Sequence, residues 1–339
     1  MIEIIRPGAQ ASVQDLGRVG FRRFGVGRSG AADGLALQVG NRLLGNEPGA
    51  AAIEFTLGRA ALRFEADMRV ALTGAECSAN LDGVPVWSWH AFDVRRGETL
   101  TLPAARGGTR TYLCVAGGID VPQVMNSRST DLKSNFGGFE GRVLRDGDRL
   151  PAGRPGIEED RDWLGVAAPG WALPANREGS ALTIRLLPGP EYPDFEPASQ
   201  QALWSADWTI TPQSNRMGLR LEGPALARRA ERSADLLSHG VMPGVMQVPP
   251  NGQPIALMSD AQTTGGYPKI GTVIGADLWR LAQVPLGATV RFAEVSLEQA
   301  AAAQAEVDRY LRQIDQALRW QGAGMQIAAR RRTTTRFVA

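Results

Sequence analysis

Turn signals recur about every 8 to 12 residues through the first half of the chain, and this spacing constrains the fold more than any other feature. Between Ile53 and Leu102 the segments Ala60 to Phe64, Arg69 to Leu72, Val84 to Trp89 and Glu98 to Leu102 are divided by Gly58, Gly74, Asp82-Gly83 and Gly97. Runs this short cannot form the 10- to 15-residue helices that a parallel sheet needs between its strands, so the pattern predicts an antiparallel sandwich or barrel. Ile2 to Ile5 and Thr111 to Ala116 read as further strands, the first ended by Arg6-Pro7-Gly8 and the second by Gly117-Gly118.

Helices are expected at three places. Asp33 is a good N-cap for residues 34–44, whose Leu35, Val39 and Leu43 recur at helical spacing before Gly45. A short helix is expected over Ser199 to Ser205. Ser296-Leu297-Glu298-Gln299 forms a capping box for an Ala-rich helix to about Trp320, with Leu297, Ala301, Val307, Leu311, Ile314 and Leu318 as its buried stripe. The Arg330-Arg331-Arg332-Thr333 tail is expected to be disordered.

The two halves echo each other. An apolar strand runs into Gly-Gly at Tyr112 to Gly118 and again at Ile255 to Gly266. Gly97-Glu98-Thr99-Leu100-Thr101-Leu102 resembles Gly287-Ala288-Thr289-Val290-Arg291-Phe292. With 339 residues to divide, two similar β-rich domains are expected over 1–150 and 181–295. A Pro- and Gly-rich linker, apolar only around Trp163-Leu164, joins them over 151–180, and the C-terminal helix and tail occupy 296–339.

Two polar loops follow these strands. The run Asp260-Ala261-Gln262-Thr263-Thr264-Gly265-Gly266-Tyr267-Pro268-Lys269 puts a carboxylate, amide, phenol and ammonium beside two glycines that permit close backbone approach. The run Asn126-Ser127-Arg128-Ser129-Thr130-Asp131 leads through Lys133 to Gly137-Gly138 and has the hydroxyls and guanidinium to hold a carboxylate or phosphate. Turns satisfied by their own side chains are the alternative at both loops. Lys133 and Lys269 are the only lysines among 37 basic residues; both stand in these loops, where an ammonium offers a proton that arginine does not. Asn41 and Arg42 are expected on the polar side of the first helix.

Other chemistry is excluded by pattern. His90, His239, Cys77 and Cys114 lack metal-ligand spacing, so no metal site is expected. Gly25-Val26-Gly27-Arg28-Ser29-Gly30 fits G-x-G-x-x-G but follows Phe21-Arg22-Arg23-Phe24 instead of a buried strand, which rules out a dinucleotide site. Neither a G-x-S-x-G elbow nor a P-loop is present. A net charge of +2 with two cysteines predicts no nucleic-acid partner and no disulfide scaffold. The lack of a signal peptide or an 18-residue apolar run leads us to expect a cytoplasmic protein with no membrane partner.

Five stretches together carry a family resemblance: Ser12-Val13-Gln14-Asp15-Leu16-Gly17-Arg18, Ser127-Arg128-Ser129-Thr130-Asp131, Ser214-Asn215-Arg216-Met217-Gly218, Gln247-Val248-Pro249 and Gln262-Thr263-Thr264-Gly265-Gly266-Tyr267-Pro268. They resemble the biotin-dependent carboxyltransferase family that includes allophanate hydrolase subunit 2, KipA and the C subunit of bacterial 5-oxoprolinase. The resemblance spans about residues 1 to 300. It implies a mostly β protein of two cyclophilin-like β-barrel domains with a few short helices and a C-terminal helix.

The activity the resemblance implies is ATP-dependent opening of 5-oxo-L-proline to L-glutamate. This chain would be the C-type member of the complex, beside a KipI-like B-type partner and a third, A-type partner, with ATP bound somewhere in the assembly. The first alternative is carboxyl transfer from carboxybiotin on a separate carrier, since no Ala-Met-Lys-Met motif is present. The second is a KipA-like regulator that binds a KipI-like protein without turnover. Candidate catalytic residues are Asp260, Gln262, Thr263, Tyr267 and Lys269; candidate substrate-binding residues are Asn41, Arg128, Ser129, Thr130, Arg216, Gln247, Gly265 and Gly266. Asp260 and Lys269 are expected on an exposed loop. His239 stands where many relatives are expected to carry a carboxylate.

Overall fold

Alternating burial along Gly58–Phe64, where the side chains of Arg59 and Arg63 face solvent and Ala60, Leu62 and Phe64 face inward, shows how the first half builds its core. The computed structural model describes residues 1–155, 164–169, 181–232 and 236–334, with side chains of the last helix described to residue 321. The first half folds into two six-stranded sheets. One runs Arg149–Leu150, Ile2–Arg6, Gly58–Phe64, Thr99–Ala104, Asn80–Leu81 and Val84–Pro85 in spatial order; the other runs Leu164–Gly165, His90–Val94, Met68–Glu76, Arg106–Val115, Ala52–Thr56 and Gln10–Gln14. Ile2, Ile53, Phe55, Phe64, Phe92 and Leu113 fill the core between them.

The second half closes completely. Leu182–Pro188, Lys269–Val273, Val245–Gln247, Ile255–Leu257, Gly218–Glu222, Trp208–Ile210 and Thr289–Glu294 form a seven-stranded barrel, closed by the parallel pairing of its first and last strands around Trp208, Ile184, Met246 and Phe292. The mostly β expectation holds, with one closed barrel and one pair of sheets. The echo between halves also has a local counterpart. Gly97 and Gly287 precede matching strands with φ of 94° and 80° in open space, so the backbone conformation is what calls for glycine at both.

Among the described residues four α-helices complete the fold: α1 (Gly34–Leu43), α2 (Pro197–Ser205), α3 (Gly275–Ala282) and α4 (Leu297–Thr334). Asp33 caps α1 as expected, accepting from Ala36 N at 2.9 Å. α1 lies on the second sheet; a Cβ on Gly40 would fall 2.6 Å from Cys114 Sγ, so the helix sits too close for any side chain there. α3 escapes the sequence because it has two turns and opens at Gly275 behind Ile274, which provides no side-chain cap. The capping box of α4 forms, with Gln299 N donating to Ser296 Oγ at 3.3 Å and Ser296 N to Gln299 Oε1 at 2.8 Å.

α4 differs from expectation in two respects. It runs through the arginine tract to Thr334, because the good helix formers Ala, Met, Gln and Arg outweigh Gly322 and Gly324 at about 1 kcal/mol each. Its buried stripe starts at Ala303 and continues through Val307, Leu311 and Ile314, whereas Leu297 and Ala301 are exposed. The expected linker also contributes structure: Leu164 pairs with Ala91 at a sheet edge, and Tyr310 donates to the Ala167 carbonyl at 2.8 Å. Trp163 lies outside the described residues.

Candidate functional site

The two halves meet across a buried charged chain. Glu54 and Tyr112 are cross-strand partners, and Tyr112 Oη donates to Glu54 Oε2 at 2.6 Å. Arg216, just before the strand Gly218–Glu222, donates bidentately to Asp260 (Nε to Oδ2 and Nη2 to Oδ1, both 2.9 Å), to Glu54 Oε1 through Nη1, and to the Gly30 carbonyl at 2.6 Å. All of these side chains are buried. Burial works against the charge on Arg216, but Asp260 and Glu54 carry its pKa above the ordinary value. Burial likewise opposes ionisation of Glu54, and Arg216, Arg110 and Tyr112 overcome it, holding this carboxyl below its usual range.

Arg216 and Asp260, expected to contact substrate, therefore hold each other and the domain junction. Nor does Asp260 lie on an exposed loop, because its backbone N–H is tied to the Arg216 carbonyl at 2.9 Å. Asn41 is also corrected. It is buried, not solvent-facing, and its amide donates to the carbonyls of Pro48 (3.3 Å) and Ala50 (2.7 Å), closing the loop after α1.

Asp15 collects the second polar loop. Its Oδ1 accepts from Ser127 Oγ (2.7 Å), Ser129 Oγ (2.5 Å) and Gly17 N (2.7 Å), and its Oδ2 from Arg128 N (2.6 Å). Thr130 Oγ1 donates to the Val13 carbonyl at 3.0 Å. Ser129 and Thr130 are fully buried with their hydroxyls committed inward, and the Arg128 guanidinium donates to Asp120 Oδ1 at 2.9 Å. The expected three-residue carboxylate clamp is not assembled. Instead the loop carries Arg18, which lies over the Phe136 ring at 4.5 Å and donates through Nη2 to the Ser129 carbonyl. Its Nε and Nη1 are buried without an acceptor among the described residues. Burial lowers the Arg18 pKa, with Asp131, Asp15 and Asp260 opposing.

The third group surrounds a two-stranded ribbon, His239–Gly240 against Thr264–Gly265. Neither Gly265 nor Gly266 has a positive φ. A Cβ at Gly266 would fall 2.6 Å from the Leu236 carbonyl, which requires glycine there, and one at Gly265 would fall 2.6 Å from Gln247 Nε2 and displace that amide, so the close approach is made by the chain itself. Gln262 Nε2 donates to Gln247 Oε1 at 3.2 Å, and the Thr263 carbonyl accepts from Val241 N at 3.0 Å. Lys269 is buried, with Nζ 3.0 Å from Glu191 Oε1 and in contact with His239 Nε2. The two lysines are thus unlike, since Lys133 is exposed. Tyr267, 40% exposed, lines a separate cavity with Thr211, Arg220 and Gln253.

The polar loops converge at the Gly25–Gly30 stretch. A Cβ on Gly27 would lie 3.5 Å from Asp131 Oδ2 and 3.8 Å from the Ala261 carbonyl, and Arg22 reaches across to donate to the carbonyls of Val241 and Gln262 (2.9 Å to the latter). The Gly25–Gly30 stretch thus packs between Asp131 and the start of the 260s loop. Glu54, Tyr112, Arg18, Glu191 and His239 were missed as site residues. Each acts through partners 20 or more residues away, with no short-range signal.

Among the described residues, no group of three or more His, Cys, Asp or Glu side chains is placed to hold a metal ion, and no helix is long and apolar enough to cross a membrane.

Asp33 adds a pH dependence. It is fully buried and accepts from Gln283 Nε2 at 2.7 Å; burial raises its pKa from 3.8 to about 6 against the hydrogen bonds from Ala36 and Gln283. The folded state then holds more protons than the unfolded state between these values, so stability rises as pH falls through 6. Relative to Asp33→Asn, which keeps the cap, the wild-type chain should gain about 1 kcal/mol between pH 7 and 5. Urea denaturation of both at the two pH values checks this; equal pH slopes would contradict it.

Comparison with known proteins places this geometry. Residues 24–294 match the family described as carboxyltransferase domain, subdomain A and B. The chain is 50% identical over 314 residues to the C subunit of 5-oxoprolinase from Escherichia coli, covering 93% of this chain and 97% of that protein. It is 33% identical over 325 residues to urea amidolyase of Saccharomyces cerevisiae, covering 93% of this chain but 18% of that one. The crystal structure of K. lactis urea amidolyase superposes with a TM-score of 0.84 at 28% identity, over 92% of this chain and 20% of that chain. The chain belongs to the carboxyltransferase-domain family, carrying both its A and B subdomains.

Proposed function

We propose that this chain is the C-type component of an ATP-dependent 5-oxoprolinase, opening 5-oxo-L-proline to L-glutamate with a KipI-like B-type partner and a third, A-type partner. The observation that carries the reading is the 50% identity over nearly the full length of the 5-oxoprolinase C subunit of E. coli, against 33% over a small part of urea amidolyase. In this reading ATP, held by one of the partners, supplies the driving force for opening the lactam. This chain contributes the Gly25–Gly30 stretch and the two polar loops that meet it. In this reading Arg18, fully buried with two donors that lack acceptors among the described residues, supplies them to the oxygen that gains charge, a role typically worth about 3 to 4 kcal/mol per donor. Lys269, oriented by Glu191 and His239, is the proton donor. The Nδ1 of His239 lies 2.9 Å from the Leu237 carbonyl, to which it donates, leaving Nε2 as the acceptor for Lys269.

Carboxyl transfer from carboxybiotin on a separate carrier is the second reading, favoured by the family match and by the urea amidolyase superposition. Glutamate release from 5-oxo-L-proline, assayed with and without avidin, separates the two. Avidin-insensitive release supports the 5-oxoprolinase reading, and avidin-sensitive turnover supports the carboxyltransferase. Tight binding to a KipI-like protein without turnover would point instead to a KipA-like regulator.

A further inference from the structure

A cavity of about 340 Å³ lies where α1, α3 and α4 approach the loops around Ser29 and Ser259, on the end of the Gly25–Gly30 stretch. Its wall carries one cation, Arg28, and no carboxylate. The Nε of Arg28 donates to the Leu16 carbonyl at 3.3 Å; the side chain is otherwise exposed. Ser29 is 3% exposed, and its Oγ and that of Ser259 are buried without a hydrogen-bond partner among the described residues. α3 begins on the same wall at Gly275, and Ile274 provides no side-chain cap; Asp277 N is bonded to the Ile274 carbonyl at 3.0 Å and the Asp277 carboxylate is paired with Arg185, so the helix presents the amides of Gly275 and Ala276 there. Leu35, Met258, Leu278, Trp279 and Val307 form the apolar remainder.

We propose that this cavity binds a small monocarboxylate with an apolar body, its carboxylate held between Arg28, the Ser29 and Ser259 hydroxyls and the uncapped start of α3, its body against the apolar wall. A neutral ligand would leave the cation and helix end unanswered, and a bare inorganic anion would leave the apolar wall unfilled. The inference concerns binding by this chain alone and stands apart from the 5-oxoprolinase reading, which turnover by the complex tests.

Isothermal titration of the purified chain with cyclopentanecarboxylate is the test, with cyclopentanecarboxamide and inorganic phosphate as controls. The expected result is one site for the carboxylate and at least tenfold weaker binding of both controls. Arg28→Gln should weaken the carboxylate about tenfold by removing its ion pair. Gln304→Glu adds a like charge 3.4 Å from the position of a Cβ on Gly275; it should weaken the carboxylate similarly. Both positions are exposed; Gln304→Glu also gives up the bond from Gln304 Nε2 to Asp308 at 3.0 Å and sets two carboxylates four residues apart on α4, so its thermal midpoint should fall slightly while that of Arg28→Gln stays with the parent. No binding of the carboxylate, equal binding of the carboxamide or phosphate, or affinity indifferent to both substitutions would overturn the proposal.

Discussion

Arg216→Met should destabilise the chain by about 3 to 5 kcal/mol, because it strands two carboxylates, Glu54 and Asp260, in a buried junction. The loss arises from uncompensated charge and not from lost volume, so the triple variant Glu54→Gln, Arg216→Met, Asp260→Asn should recover much of it. The amide introduced at position 54 can still accept from Tyr112, and the three substituted side chains carry no charge to be solvated; the recovery is incomplete because Arg110 loses the Glu54 carboxylate 3.9 Å away. Denaturant unfolding of the parent, single and triple variants reads this directly. A triple variant as unstable as the sum of the three single changes would mean that the network stabilises through its individual hydrogen bonds.

Lys269→Gln should reduce turnover of the reconstituted complex by about 10² to 10³ if its ammonium donates the proton on lactam opening. Because Lys269 is buried against Glu191, the substitution also carries a structural cost of about 1 to 3 kcal/mol, more than an exposed loop residue would show. Circular dichroism and unfolding of the variant separate the two effects. A folded Lys269→Gln chain that supports glutamate release at the parental kcat would remove the ammonium from the mechanism. His239→Gln offers a finer probe. It leaves Lys269 in place while changing the acceptor at Nζ, and should shift the pH profile more than KM.

The sequence was most legible where interactions are local. The Asp33 cap and the Ser296–Gln299 capping box involve atoms three residues apart and form as expected. The strands bounded by Gly58 and Gly97 likewise appear, because their φ values of 67° and 94° belong to glycine, whereas Gly74, with a φ of 90°, lies inside the strand Met68–Glu76 and the strand expected over Val84 to Trp89 is only Val84–Pro85. The site loops were located, but their side chains were assigned outward. Ser129 and Thr130 look like ligand-binding hydroxyls until Asp15 and Val13, 114 and 117 residues away, claim them. Arg216 reads as a substrate clamp until Glu54, 162 residues away, shares it. A hydroxyl or guanidinium has the same appearance in sequence whether its acceptor is a ligand or a distant strand. The G-x-G-x-x-G stretch shows the converse: it holds no dinucleotide signature, yet Gly27 stands where the two loops converge.

The central claim is that this chain is a required component of a 5-oxoprolinase, and the most direct measurement is an omission assay. This chain together with its A-type and B-type partners, ATP and 5-oxo-L-proline should release glutamate and consume ATP, and omission of this chain alone should abolish the release. Glutamate release at an undiminished rate without this chain would contradict the account.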